Sequence, residues 1–189
     1  MRLQAATPEP WIDAVRVDFD SFLLDHAACE RKASATAMGL VAHYPDRIEL
    51  VRSCIALARE ELEHFARVWE MLTSRGIVLG PDTPNPYVSL LAREYRKGSD
   101  AYFLDRLLAI GIVEARGCER FGLVARVLPG GETRDFYREL ARTEVRHHEI
   151  YLELARTYFP ADEVERRLEE LLAVEARIVR ELPIRAAMY

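Results

Sequence analysis

Lysine is nearly missing from this chain. Of its 26 basic residues only Lys32 and Lys97 are lysines, and the other 24 are arginines. Cysteine is scarce too. Cys29, Cys54 and Cys118 are isolated and odd in number, which excludes a disulfide framework and any Cys-x-x-Cys zinc or redox motif. That usage fits a reducing cytoplasm. No apolar run approaches the roughly 18 residues a membrane span needs. The opening Met-Arg-Leu-Gln-Ala-Ala-Thr-Pro lacks the apolar stretch of a signal peptide. Alternating strand-like runs and low-complexity segments are absent, and only 9 glycines occur in 189 residues. The net charge of −5 argues against a general nucleic-acid binder. Arginine does suit bidentate phosphate contacts, but a compositional bias explains its excess over lysine at least as well.

What remains is a helical chain of one domain, residues 1–189, long enough to bury a sizeable core. Half its residues are hydrophobic and 30% are charged. Apolar residues recur at helical spacing, and breaks fall at Pro45, Gly76, Gly80 to Pro86, Pro129-Gly130-Gly131, Pro160 and Pro183. The pattern predicts long helices over about Val15 to Tyr44, Pro45 to Arg75, Asp100 to Leu128 and Glu132 to Tyr158. A short helix near Val88 to Arg96 and a fifth long one over about Ala161 to Glu181 complete it. The fold class is therefore all-α: a four-helix bundle with a long crossover connection, Gly76 to Ser99, and an additional C-terminal helix.

Glu30 is followed 31 residues later by Glu61-Leu62-Glu63-His64, and Glu114 is followed 30 residues later by Glu144-Val145-Arg146-His147. The midpoint of the first pair lies beside Pro45, and that of the second is Pro129. In an antiparallel hairpin, residues equally far from the turn sit at one height. Each hairpin thus brings its two glutamates level. At about 100° per residue all four glutamates interrupt apolar stripes. Glu61, for example, shares its face with Cys54, Leu57, Ala58, Phe65 and Val68. An ionised carboxylate on such a face is very costly unless neutralised or held by a cation. A single Glu-x-x-His arises easily by chance. Two, each paired across a proline turn, point to a metal site with Glu30, Glu61, His64, Glu114, Glu144 and His147 as ligands. Carboxylates with one imidazole per metal suit iron or manganese rather than a thiolate-loving ion. Six protein ligands over two metals leave positions open for oxygen chemistry.

Several neighbours admit two readings. His148 rivals His147, and the parallel with His64 favours His147. His26, one turn before Glu30, is either a hydrogen-bond partner to that ligand or a satisfied core histidine. His43 reads as a cation near a helix C-terminus. Cys29 and Cys118 read as small core residues, and Tyr137 and Tyr151 as core aromatics close to the ligands. Arg134, Arg138, Arg142 and Arg146, spaced by four, fall away from the ligand face. They form a solvated row or a phosphate-following one, with the solvated reading favoured. Arg116 and Arg120 raise the same question.

The ligand pattern resembles the ferritin-like di-iron superfamily over nearly the whole chain. Finer stretches narrow the likeness. They are Asp25-His26-Ala27-Ala28-Cys29-Glu30-Arg31-Lys32-Ala33, Ala58 to Phe65, Asp105-Arg106-Leu107-Leu108, Phe136-Tyr137 and Val113-Glu114-Ala115-Arg116-Gly117-Cys118-Glu119-Arg120-Phe121. Together they resemble the MiaE family of tRNA 2-methylthio-isopentenyladenosine hydroxylases, the Glu-Ala-Arg-x-Cys-Glu-Arg-Phe run most specifically. The resemblance implies a monooxygenase that hydroxylates the isopentenyl side chain of a modified adenosine beside the tRNA anticodon. It also implies two iron ions, dioxygen as co-substrate, an external two-electron donor such as a reductase, and the six ligands named above. Other readings of the same ligand set are a ferritin-like oxygenase on a small or lipid-like substrate and an iron storage protein.

Overall fold

The computed structural model describes residues 1–189 and contains seven α-helices and no strand. They are α1 (Glu9–Val17), α2 (Phe19–His43), α3 (Ile48–Ser74), α4 (Pro86–Ala92), α5 (Ser99–Val127), α6 (Glu132–Tyr158) and α7 (Ala161–Glu181). The chain divides into two compact units. One comprises Met1–Ala14, Pro84–Arg185 and Tyr189; the other comprises Val15–Thr83 with Ala186–Met188.

The second of these units is the α2–α3 hairpin. Tyr44 caps α2 through its backbone N–H to Leu40 O, and Pro45 opens the turn into α3. Phe22, Leu23, Ala27, Ala37 and Leu40 of α2 are buried, as are Leu50, Cys54, Leu57, Ala58, Val68 and Leu72 of α3. Each large apolar side chain so buried stabilises by about 1.5–3 kcal/mol. The Ser34 hydroxyl donates to Ala58 O at 2.8 Å, joining the helices near mid-height. The connection after α3 is tied back to α2, because Arg31 pairs with Asp82 and Lys32 Nζ donates to Thr83 O at 2.9 Å. Met188 N donates to Asp25 Oδ2 at 2.6 Å, so the end of the chain returns to α2.

The other unit is built on the α5–α6 hairpin, with α4, α7 and the N-terminal segment. Gly98 (φ 100°) and Gly131 (φ 144°) stand just before α5 and α6, in a backbone region that L side chains disfavour. Both helices carrying ligand candidates here start from a glycine. Asp105 of α5 is fully buried and held by two arginines. Arg96 Nη2 reaches its Oδ1 at 2.9 Å, and Arg167 Nη2 of α7 reaches its Oδ2 at 2.9 Å.

The predicted bounds of the last two helices coincide with α6 and α7. The first predicted helix, Val15 to Tyr44, is in fact two. Asp18 interrupts it with non-helical φ and ψ, and its carboxylate accepts from Ser21 N at 3.0 Å. That is an N-cap, which starts a new helix inside an unbroken apolar pattern. The residues before it form α1, which was not expected. The short helix starts two residues earlier than predicted, because the Asn85 side chain caps it and Pro86 occupies its first turn.

Candidate metal centre

Glu30, Glu61 and His64 come together inside the α2–α3 hairpin. Their ligand atoms all lie within 4.8 Å of one another. His64 Nδ1 is 3.5 Å from Glu30 Oε2 and 3.6 Å from Glu61 Oε2. All three are buried. The i,i+3 step places Glu61 and His64 one turn apart on α3. The proline turn brings Glu30 of α2 level with them, as the sequence spacing predicts. His26 Nε2 stands 2.6 Å from Glu30 Oε1, with neither residue appreciably exposed. The ring N–H thus fixes one carboxylate oxygen and leaves the other turned towards His64. The hydrogen-bonding reading of His26 holds.

Glu114, Glu144 and His147 form a matching trio inside the α5–α6 hairpin, again with ligand atoms within 4.8 Å of one another. His147 Nδ1 lies 2.9 Å from Glu144 Oε2, and both side chains are almost wholly shielded. Glu114 is partly buried. His148 points elsewhere. Its Nε2 is 3.4 Å from the Met1 amine. Burial and that nearby positive amine both hold its pKa below the usual histidine value. The Met1 side chain lies over Gly111, where an added Cβ would come within 3.3 Å of Met1 Cε. The start of the chain therefore covers part of the α5–α6 seam.

Each trio fits a divalent cation by the chemistry of its donors. Metal bonds of roughly 2.0–2.2 Å keep the donors on one ion within about 4.4 Å of each other, close to the spacing present here. Two carboxylates and one imidazole give oxygen and nitrogen donors only, the set that suits iron or manganese. The nearby thiols stand outside both groups of ligand candidates. Burial, with Asp25 and Glu30 adding to it, pushes Cys29 well above its usual value. Burial, then Glu144 and Glu119, pushes Cys118 up to about 11. The Cys118 Sγ donates to Ala141 O at 3.2 Å. Both remain thiols at neutral pH.

The run that follows Glu114 serves a second purpose. Arg116 and Arg120 lie on the side of α5 away from Glu114, and both are buried, so neither is a phosphate contact. Arg116 has no exposed surface. Its Nε reaches Glu175 Oε1 of α7 at 2.8 Å, its Nη2 reaches Ala5 O at 2.8 Å, and its Nη1 pairs with Glu119. Thr7 donates to Glu119 from its backbone N at 3.0 Å and its hydroxyl at 2.7 Å. Tyr87 of α4 donates its hydroxyl to Glu175 Oε1 at 3.0 Å. The Arg120 guanidinium lies over the rings of Trp11 and Tyr189, 4.9 and 5.7 Å from their centroids. One stretch of α5 thus carries a ligand candidate on one side and fastens both chain ends on the other. Sequence reasoning missed Glu175, although it stands at an apolar-stripe position of α7 among Leu168, Leu171, Leu172 and Val179. The α6 arginine row faces solvent at Arg138, Arg142 and Arg146, while Arg134 is half-buried. Arg138 lies 3.5 Å from Asp135.

Comparison with known proteins follows this layout. Residues 1–187 match the family described as tRNA-(MS2IO6A)-hydroxylase (MiaE). A Pseudomonas putida protein named tRNA 2-(methylsulfanyl)-N(6)-isopentenyladenosine(37) hydroxylase is 35% identical over 178 residues, covering 94% of this chain and 86% of that one. The Salmonella typhimurium protein of the same name is 28% identical over 234 aligned positions, covering 94% of this chain and 83% of its own. A solved structure described as Protein 43 with aldehyde deformylating oxygenase activity from Synechococcus has a TM-score of 0.94 at 34% identity, and the match covers 100% of this chain and 96% of that one. The fold is the ferritin-like all-α class expected from the sequence.

Proposed function

The chain belongs to the MiaE family of tRNA hydroxylases, and from that membership we propose that it is a di-iron, oxygen-dependent monooxygenase acting on the isopentenyl side chain of 2-methylthio-isopentenyladenosine beside the anticodon. Hydroxylation of this isopentenylated adenosine is the activity the family and its named relatives support. The observation that carries the iron reading is the pair of carboxylate and imidazole trios, one in each hairpin and buried except for the half-buried Glu114.

In this reading the whole of 1–189 serves as one di-iron domain. Glu30, Glu61, His64, Glu114, Glu144 and His147 would hold the two irons. When bound, they would supply the reduction of dioxygen by two external electrons, with one oxygen atom entering the substrate and the other leaving as water. The protein's own share is positional. His26 holds Glu30 in one orientation through the 2.6 Å contact, which keeps the other carboxylate oxygen available. Burial keeps the carboxylates out of bulk water, which strengthens their hold on a cation. Arg116 and Glu175 brace α5 against α7 two residues beyond Glu114. The remaining requirements are a tRNA carrying the modified adenosine and an electron-transfer protein or reductase. No helix is long and apolar enough to cross a membrane, and the proposed place of work is the cytoplasm, where tRNA is found.

Mass spectrometry of nucleosides from tRNA treated with iron-loaded protein, dioxygen and a reductant tests this. The isopentenylated adenosine should gain one oxygen. An unchanged nucleoside with two irons bound would reject the tRNA assignment.

A further inference from the structure

The outer face of α3 carries large apolar side chains that nothing in the chain covers. Ile55, Leu62 and Trp69 are 46%, 55% and 46% exposed. They are spaced by seven, so they drift by only about 20° per step and form a straight stripe. The exposed Ala66 lies on the same line. One flank of the stripe holds Arg52, Arg59, Glu63 and Glu70, all exposed. Arg52 reaches only its helical neighbour Glu49. Arg59, Glu63 and Glu70 form no ion pair within the chain. A helix face of this kind, apolar along a heptad line with unpaired charges beside it, is built for another helix.

The charges select the occupant. Two arginines and two glutamates alternate along the flank, so a polyanion such as tRNA would meet Glu63 and Glu70 as well as the arginines. A second copy packed parallel would set this charged flank against the opposite flank, which carries Val51, Ala58 and Phe65, and would close no ion pair. An antiparallel copy with the two-fold between Ile55 and Leu62 would set Arg59 against Arg59. An antiparallel copy with the two-fold at Leu62 removes the Arg59 clash and leaves one like-charge approach, Glu63 to the copy's Glu63 about 3 Å of rise apart, against four opposite-charge pairs. Leu62 then meets Leu62, and Ile55 meets Trp69 twice. Arg59 comes within two residues, about 3 Å of rise, of the copy's Glu63. Arg52 comes equally close to the copy's Glu70. Every flank charge gains an opposite partner in an isologous interface.

We propose that α3 pairs antiparallel with α3 of a second copy of this chain about a two-fold axis at Leu62. This is independent of the metal chemistry and of the substrate. The pairing buries six large apolar side chains and closes four ion pairs.

Sedimentation of the full chain over a wide concentration range tests it, with helicity checked by circular dichroism. The wild type should form a dimer. The emission of Trp69 should shift to the red on dilution, while Trp11, already buried, contributes no shift. Arg59→Glu places Glu beside Glu63 of the copy and should raise the dissociation constant by at least about 10-fold. Trp69→Glu should do the same. The double variant Arg59→Glu/Glu63→Arg should restore a dimer close to wild type, which a merely misfolded single variant would not predict. A wild type that stays monomeric throughout overturns the proposal. So does a dimer indifferent to Arg59→Glu and Trp69→Glu. Loss of tRNA binding in Trp69→Glu alongside a monomeric wild type assigns the face to tRNA and equally overturns it.

Discussion

The Arg116 guanidinium meets the Glu175 carboxylate as a two-pronged fork, Nε to Oε1 at 2.8 Å and Nη2 to Oε2 at 3.0 Å, with no exposed surface on either side chain. Breaking one side of such a pair strands the other charge in a low-dielectric interior. Arg116→Met should therefore cost about 3–5 kcal/mol of unfolding free energy. Adding Glu175→Leu should recover part of it, since no carboxylate is then left unpaired. Denaturant titration of the two variants measures this, and a double variant weaker than the single one would contradict it.

The contact between His26 and Glu30 has a separate signature. If the ring orients a ligand, His26→Leu should weaken iron binding by about 10–100-fold while leaving the helix content unchanged. Chelator competition reads the affinity. Binding as tight as in the wild type would reduce His26 to a packed ring.

Removing a ligand should be coarser. Metal analysis of iron-loaded wild type should give two irons per chain, and Glu144→Ala should give fewer. Retention of both irons in the variant would remove Glu144 from the ligand set.

Asp105 sets an acid limit. Burial raises its carboxyl, but hydrogen bonds from Arg167 and Arg96 outweigh that and hold its pKa below the usual aspartate value. A depressed folded pKa contributes stability above the unfolded value of about 3.9 and loses it as pH falls through the folded value. Wild-type stability should thus decline below about pH 4. Asp105→Asn should be weaker at neutral pH and show a shallower decline over the acid range. Parallel acid slopes in urea titrations would assign the lability elsewhere.

The two hairpins that carry the candidate ligands were legible in the sequence because their signals are local and redundant. Proline turns, apolar stripes and a repeated Glu-x-x-His agree on the same faces, and the two trios assemble within their hairpins as the spacing requires. What escaped notice depends on a single side chain or on distant partners. Asp18 splits a continuous apolar pattern by capping its own backbone, which periodicity cannot register. Arg116 reads as a surface residue until Glu175, 59 positions later, is known to face it. Glu175 itself, a carboxylate among leucines, was the available clue.

The bonds from Thr7 to Glu119 join residues 112 positions apart. Those of Arg116 reach back to Ala5 and forward to Glu175. During synthesis, then, α2 and α3 can pair with each other soon after Ser74 is made. The first dozen residues must wait for most of the chain to leave the ribosome before their binding groove exists. A segment made early is thus docked among the last.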